Sequence, residues 1–156
     1  SGQMPTLELD NGEFISEITV ICDYLDEQHG YTDLIGKTPE DRAETRMWTR
    51  RIDLQIVEPL TNGFRFSEGH DFFKDRLRLI PQAADDLKTL AQERITWLDS
   101  QIEGKEFICG NRFSLADIMF YCFLNFGTTV GQPLNEDNKN VVNLYNKIHS
   151  RPSASA

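Results

Sequence analysis

The sequence predicts a mainly α protein, a helical bundle preceded by a β-hairpin and a first helix, and three observations point that way. Apolar residues recur at three- and four-residue spacing along most of the 156-residue chain. Two segments open with helix-start chemistry, Thr38-Pro39-Glu40-Asp41 and Ser114-Leu115-Ala116-Asp117. Alternating residues surround Asp10-Asn11-Gly12, close to the N-terminus.

The hairpin is expected to pair Thr6 to Leu9 with Glu13 to Ile15, because Asn and Gly tolerate the positive φ that tight turns need. Pro5 stands directly before the first strand, where a proline can begin a strand without breaking a ladder. A lone hairpin is not stable in water, so this one reads as the trailing edge of something larger. Ser16 is expected to cap a helix whose apolar positions are Ile18, Ile21, Cys22 and Leu25, with Gly30 as its stop. Tyr31 to Lys37 reads as a loop.

The next helix has Thr38 as N-cap, Pro39 at the first helical position, and two acids at the positive end of the dipole. Its expected buried stripe is Ala43, Met47, Ile52 and Ile56, and Pro59 is expected to end or kink it. Thr61 to Asp71, with two glycines, reads as an irregular loop. A long helix over Pro81 to Ile102 would bury Ala84, Leu87, Ala91, Ile95, Leu98 and Ile102, with Gly104 beyond its end. Another starts at the Ser114 capping pattern, with Phe113 and Ile118 as a hydrophobic staple. The last runs from Val141 to Ser150, ahead of Pro152.

Composition sets further bounds. The apolar share is 39% and the charged share 26%, the profile of a soluble domain with one core. No apolar run reaches the roughly 20 residues that span a bilayer, and no signal peptide is recognisable, so the expected location is the cytoplasm with no membrane partner. The formal net charge is −9. Arg42, Arg46, Arg50 and Arg51 are interleaved with Glu40, Asp41, Glu44 and Asp53, a mixed-sign helix face rather than a phosphate track, which argues against nucleic-acid binding. Cys22, Cys109 and Cys122 are far apart among apolar neighbours, and His29, His70 and His149 form no ligand pair, so neither a disulfide framework nor a metal is expected.

No Gly-rich phosphate loop, HExxH, GxSxG or paired catalytic carboxylates are present. One local arrangement remains: Met4-Pro5 before the hairpin and Glu17 at the first turn of a helix. A cis bond at Pro5 would turn the Met4 backbone N–H and C=O outward, the helix start would offer amides to a carboxylate, and Glu17 would hold an amino group. Together they would recognise a zwitterionic, peptide-like ligand. The same residues also read as a turn proline and a dipole-friendly glutamate, and pattern alone leaves both readings open.

The run Gly2-Gln3-Met4-Pro5-Thr6-Leu7-Glu8-Leu9, then Gly12, then Glu17 with Ile21-Cys22-Asp23-Tyr24-Leu25, resembles the end of the thioredoxin-like domain of cytosolic glutathione transferases. Phe107-Ile108-Cys109-Gly110 through Phe113-Ser114-Leu115-Ala116-Asp117-Ile118 resembles the helical-domain motif of that family, and Arg151-Pro152-Ser153 its usual ending. Thr38 to Asp53 is most similar to bacterial members. The resemblance implies a C-terminal remnant of a thioredoxin-like domain over 1–30 and an all-helical domain over 38–156, without the strand–helix–strand that carries the family's catalytic Ser, Tyr or Cys.

It implies glutathione as co-substrate, with no other cofactor. Met4 would pair its backbone with the cysteinyl part, Pro5 would be the cis proline, Gln3 would help hold the tripeptide, and Glu17 would bind the γ-glutamyl amino group. Ile18 stands where the family usually has serine, which removes a hydroxyl bond to the γ-glutamyl carboxylate. Arg46, Met47 and Arg50 are candidates to face a small hydrophobic electrophile. No residue receives the catalytic role. The implied function is conjugation of the glutathione thiolate to electrophiles in a homodimer serving detoxification, with this chain inactive by itself; the alternative is a non-catalytic interaction module.

Overall fold

The computed structural model describes residues 4–154. Strands β1 (Thr6–Glu8) and β2 (Phe14–Ser16) pair antiparallel, with Thr6 opposite Ser16 and Glu8 opposite Phe14. Helices α1 (Ile18–Gln28) and α2 (Pro39–Ile52) follow, then a π-helical segment at Asp53–Val57, α3 (Glu58–Phe66), and a short α4 (His70–Phe73). A 3₁₀ turn at Pro81–Ala83 leads into α5 (Ala84–Gln101), then α6 (Leu115–Thr129) and α7 (Lys139–His149). A mainly helical bundle preceded by a hairpin and a helix is therefore what the chain forms.

Several elements depart from the sequence reading. The hairpin loop spans residues 9–13 and closes with Leu9 N–H donating to Glu13 C=O at 2.8 Å and Asn11 Oδ1 accepting from Glu13 N–H at 3.0 Å. The Leu9–Glu13 bond encloses Asp10-Asn11-Gly12, the turn expected from the sequence, and the departures lie in the elements that follow. Ser16 is extended in β2, because its backbone belongs to the ladder with Thr6. Glu17 takes the N-cap position instead, with no side-chain cap bond. On α1, Ile21 is buried, whereas Ile18 and Leu25 are exposed.

The start of α2 forms as expected. Thr38 Oγ1 accepts from Asp41 N–H at 3.1 Å, and the Asp41 carboxylate accepts from Thr38 N–H at 3.3 Å. Its buried face is Thr45, Trp48, Thr49 and Ile52, while Ala43 and Met47 are exposed. The stripe is rotated because α2 lies against α6 and seats the large Trp48 ring, 6.1 Å from Trp97 of α5.

Pro59 does not end the run. The π-helical turn just before it hands over to α3 with Pro59 in the first turn, where its missing N–H costs nothing. Most of the expected loop after Thr61 is helical, since α3 runs on to Phe66. Gly63 is a contact residue rather than a breaker: a Cβ there would meet Lys88 Cγ of α5 at 2.7 Å.

The core gathers Trp48, Ile52, Ile56 and Val57 with Ile95 and Leu98 of α5, Phe120 and Leu124 of α6, and Val141, Leu144 and Ile148 of α7. Between α5 and α6 the chain makes a small β-bridged loop, Phe107 to Gly110 and Cys109 to Arg112. The Asp117 carboxylate locks it, accepting from Ile108 N–H, Ser114 N–H and Ser114 O–H at 2.8 Å each. Arg112 extends from that loop to Asp33 C=O, Thr45 Oγ1 and Asp41 C=O at 2.9–3.0 Å, tying the α1–α2 connection to the bundle.

Candidate functional site

The hairpin register decides where its two ends go. With Thr6 opposite Ser16 as the last pair of the ladder, Pro5 and Glu17 both leave the sheet at the same end. The Met4–Pro5 peptide is cis, and Met4 is 93% exposed. Glu17 has φ 74° and ψ 112°, a conformation that costs a residue with a Cβ about 1–3 kcal/mol. Its carbonyl accepts from Ile21 N–H at 2.9 Å, which starts α1, and the first turn of that helix has no side-chain cap. Uncapped amides, a carboxylate and an open backbone dipeptide therefore share one corner. Ile18, half exposed at 52%, supplies no hydroxyl there. Gln3 lies outside the described residues.

A cavity of about 200 Å³ runs between α1 and α2, lined by residues that include Thr19, Val20, Asp23, Arg46, Arg50 and Asp53. Thr45 and Thr49 form its floor on α2, with Ile35 and Leu115 as apolar wall. Arg46 makes a two-pronged bond to Asp23, Nε to Oδ2 at 3.0 Å and Nη2 to Oδ1 at 3.1 Å, which clamps α2 to α1. Arg50 approaches Asp53 at 3.6 Å. Burial pushes the Asp53 carboxyl up from the usual range, opposed by Arg50 and reinforced by Glu58 and Glu17. Thr19 and Val20, in the first turn of α1 just after Glu17, line the cleft, so the hairpin corner lies beside it. Met47 stands beside this lining on α2, 41% exposed.

The three thiols are not poised as nucleophiles. Burial pushes the Cys22 and Cys122 thiols up, and Cys109 likewise, with only partial relief from a hydrogen bond to Ser114. A raised thiol pKa leaves little thiolate at neutral pH. Among the described residues no cluster of His, Cys, Asp and Glu could hold a metal ion, and no helix is long and apolar enough to cross a membrane. The arrangement is suited to recognition: a charged, peptide-like ligand at the corner and a small, partly apolar one in the cleft.

Sequence reasoning named Met4, Pro5, Glu17 and Ile18, and the structure brings these together. It placed Arg46 and Arg50 near a second ligand, and both line the cleft. It missed Asp23, Thr45, Thr49 and Asp53. The spacing of Thr45, Trp48, Thr49 and Ile52 was an available signal for the inward face of α2, whereas the Asp23–Arg46 pair lies 23 residues apart and carries no local mark.

The chain is similar to known proteins over most of its length. The family model described as the glutathione S-transferase C-terminal domain matches residues 77–152. Glutathione S-transferase 2 of Saccharomyces cerevisiae is 28% identical over 153 residues, which is 98% of this chain and 66% of the yeast protein. FtsZ-localized protein A of Caulobacter vibrioides is 28% identical over 144 residues, 88% of this chain and 60% of that protein. The crystal structure of Gtt2 from Saccharomyces cerevisiae superposes with a TM-score of 0.91 at 27% identity, covering 99% of this chain and 74% of the other. The chain thus spans about two thirds or less of the length of these curated relatives.

Proposed function

Because the chain belongs to the glutathione transferase family, we propose that it supplies the γ-glutamyl end of a glutathione site and one wall of the adjoining electrophile cleft. The observation that carries the reading is the convergence of Met4-Pro5 and Glu17 at one end of the hairpin, next to the α1–α2 cavity. The Met4 backbone pairs with the cysteinyl part of the tripeptide, and Pro5 sets the direction of that backbone. Glu17 holds the γ-glutamyl ammonium, and the amides after it receive the carboxylate. Gln3, outside the described residues, would add a further contact. Arg46, Met47 and Arg50 border the electrophile.

The reaction is attack of the glutathione thiolate on a small electrophile, serving detoxification in the cytoplasm. The thiolate is the nucleophile, and we assign the role of stabilising it to none of the described residues. Binding is therefore expected here without turnover. The boundary between a thioredoxin-like remnant over 1–30 and the all-helical domain over 38–156 is placed in the Tyr31 to Lys37 connection. A homodimer is proposed, which sedimentation at micromolar concentration checks; a monomer throughout would reject it. For glutathione itself the test is calorimetric titration together with retention on immobilised glutathione. Absence of both sinks the reading.

A second reading has a specific observation behind it. Ile18 lacks the hydroxyl that would grip the γ-glutamyl carboxylate, and the relatives include a protein named for localisation with FtsZ. On that reading the chain is an interaction module without transferase activity. Failure to bind glutathione combined with a stable complex with another protein on size exclusion would favour it.

A further inference from the structure

The two arginines of the α1–α2 cleft are not equivalent, and the inference that follows rests on the reading of that cleft as the electrophile side of the site. Arg46 has both prongs of its guanidinium committed to Asp23, at 3.0 and 3.1 Å. Arg50 has one carboxylate neighbour among the described residues, Asp53 at 3.6 Å, which is beyond hydrogen-bond reach. Its side chain is 69% exposed at the cleft rim. Its planar fork of five N–H donors therefore stands at the rim of a cavity whose lining includes the apolar Val20, Ile35 and Leu115. A guanidinium with uncommitted donors beside an apolar slot matches a ligand with an apolar body and one carboxylate, the group that fork geometry fits best.

We propose that Arg50 makes the cleft selective for small electrophiles that carry a carboxylate, such as α,β-unsaturated aromatic acids. Arg46 is the clamp that holds α2 against α1 and takes no part in the choice. Asp53 approaches Arg50 at 3.6 Å without hydrogen-bonding it, which leaves the donors of the guanidinium open to a ligand.

A carboxylate at Arg50 has two sources, the electrophile or glutathione itself, and titration calorimetry of the chain separates them. The probes are cinnamate, its neutral analogue methyl cinnamate, and glutathione, each against wild type, Arg50→Gln and Arg50→Lys. Wild type should prefer cinnamate to methyl cinnamate by about fivefold, the size of one partly exposed charged contact. Arg50→Gln should erase that preference, Arg50→Lys should keep part of it, and glutathione affinity should be the same in all three. Because Arg50 is exposed, all three proteins should have matching thermal melts.

No preference in wild type, or a preference that survives Arg50→Gln, overturns the assignment. So does a loss confined to the glutathione titration, which would make the anion glutathione's own. If glutathione fails to bind while the cinnamate preference still follows Arg50, the transferase reading falls and the Arg50 assignment stands.

Discussion

At Glu17 the backbone sits at φ 74° while the side chain provides a carboxylate at the hairpin corner. Strain and recognition can be separated there by substitution, because glycine adopts positive φ without steric cost. Glu17→Gly should leave the unfolding free energy within about 1 kcal/mol of wild type, since relief of strain offsets the added chain entropy. It should weaken glutathione binding tenfold or more, since a hydrogen bond to a charged group contributes about 1.5–3 kcal/mol. Parallel melts and titrations read both quantities, and equal losses in the two would show that Glu17 is structural only. The neighbouring residue allows the opposite experiment. Ile18→Ser restores a hydroxyl at a half-exposed position, so glutathione affinity should rise by about tenfold with little change in stability. Unchanged affinity would place the γ-glutamyl carboxylate elsewhere.

Among the elements, α2 is the one that builds the cleft, and its position depends on Gly36. That residue has φ 121°, and a Cβ there would collide with Asp41 Cβ and lie 2.7 Å from Asp41 C and 2.8 Å from Arg42 N. The obstacle is backbone of the first turn of α2, which cannot yield as a side-chain tip would. Gly36→Ala should therefore cost about 2–4 kcal/mol and loosen the Thr38 capping box, measured by denaturant unfolding. A loss below about 1 kcal/mol would mean that the connection relaxes freely.

The contact between the turn after α3 and α5 carries a pH signature. Lys88 lies 2.6 Å from Glu68, and its hydrogen bond, followed by that of Ser67, lowers the Glu68 carboxyl from 4.5 to about 2. A depressed carboxylate stabilises the fold above its unfolded value, and the contribution disappears as pH falls from about 4.5 toward 2. Lys88→Met should flatten the stability profile across that window while leaving its shape above pH 6 unchanged. Because half of the Glu68 side chain is in water, the effect is expected to be modest. An identical acid limb in both proteins would dismiss the pair.

Global stability converges on Asp117, which is fully buried at the junction of α6 with the β-bridged loop. Burial pushes its carboxyl up, opposed by the hydrogen bonds it accepts from Ile108 and Ser114. Asp117→Ala would leave two buried amides without an acceptor, and should lower the unfolding free energy by about 2–5 kcal/mol in a single cooperative transition. A smaller loss, or a transition confined to the hairpin, would show that this junction does not organise the bundle.

Much of this architecture is written locally. Thr38-Pro39 and Ser114-Asp117 mark helix starts because capping is a contact between residues three apart, and the α5 stripe follows from its own spacing. The corner residues were legible for the same reason, since a proline before a strand and a glutamate before a helix are local features. Element boundaries that depend on partners were not. Ser16 belongs to β2 because Thr6 pairs with it, α2 turns Trp48 inward because α5 and α6 wait there, and Gly63 is helical because α5 passes close. The cleft belongs to this second group. Its arginines stand on one helix, but whether each is committed or available depends on Asp23 from another element and on how closely Asp53 approaches. Short-range hydrogen bonds and side-chain periodicity are properties of a segment. Desolvation and charge pairing are properties of distances between segments, and these exist only once the chain has packed.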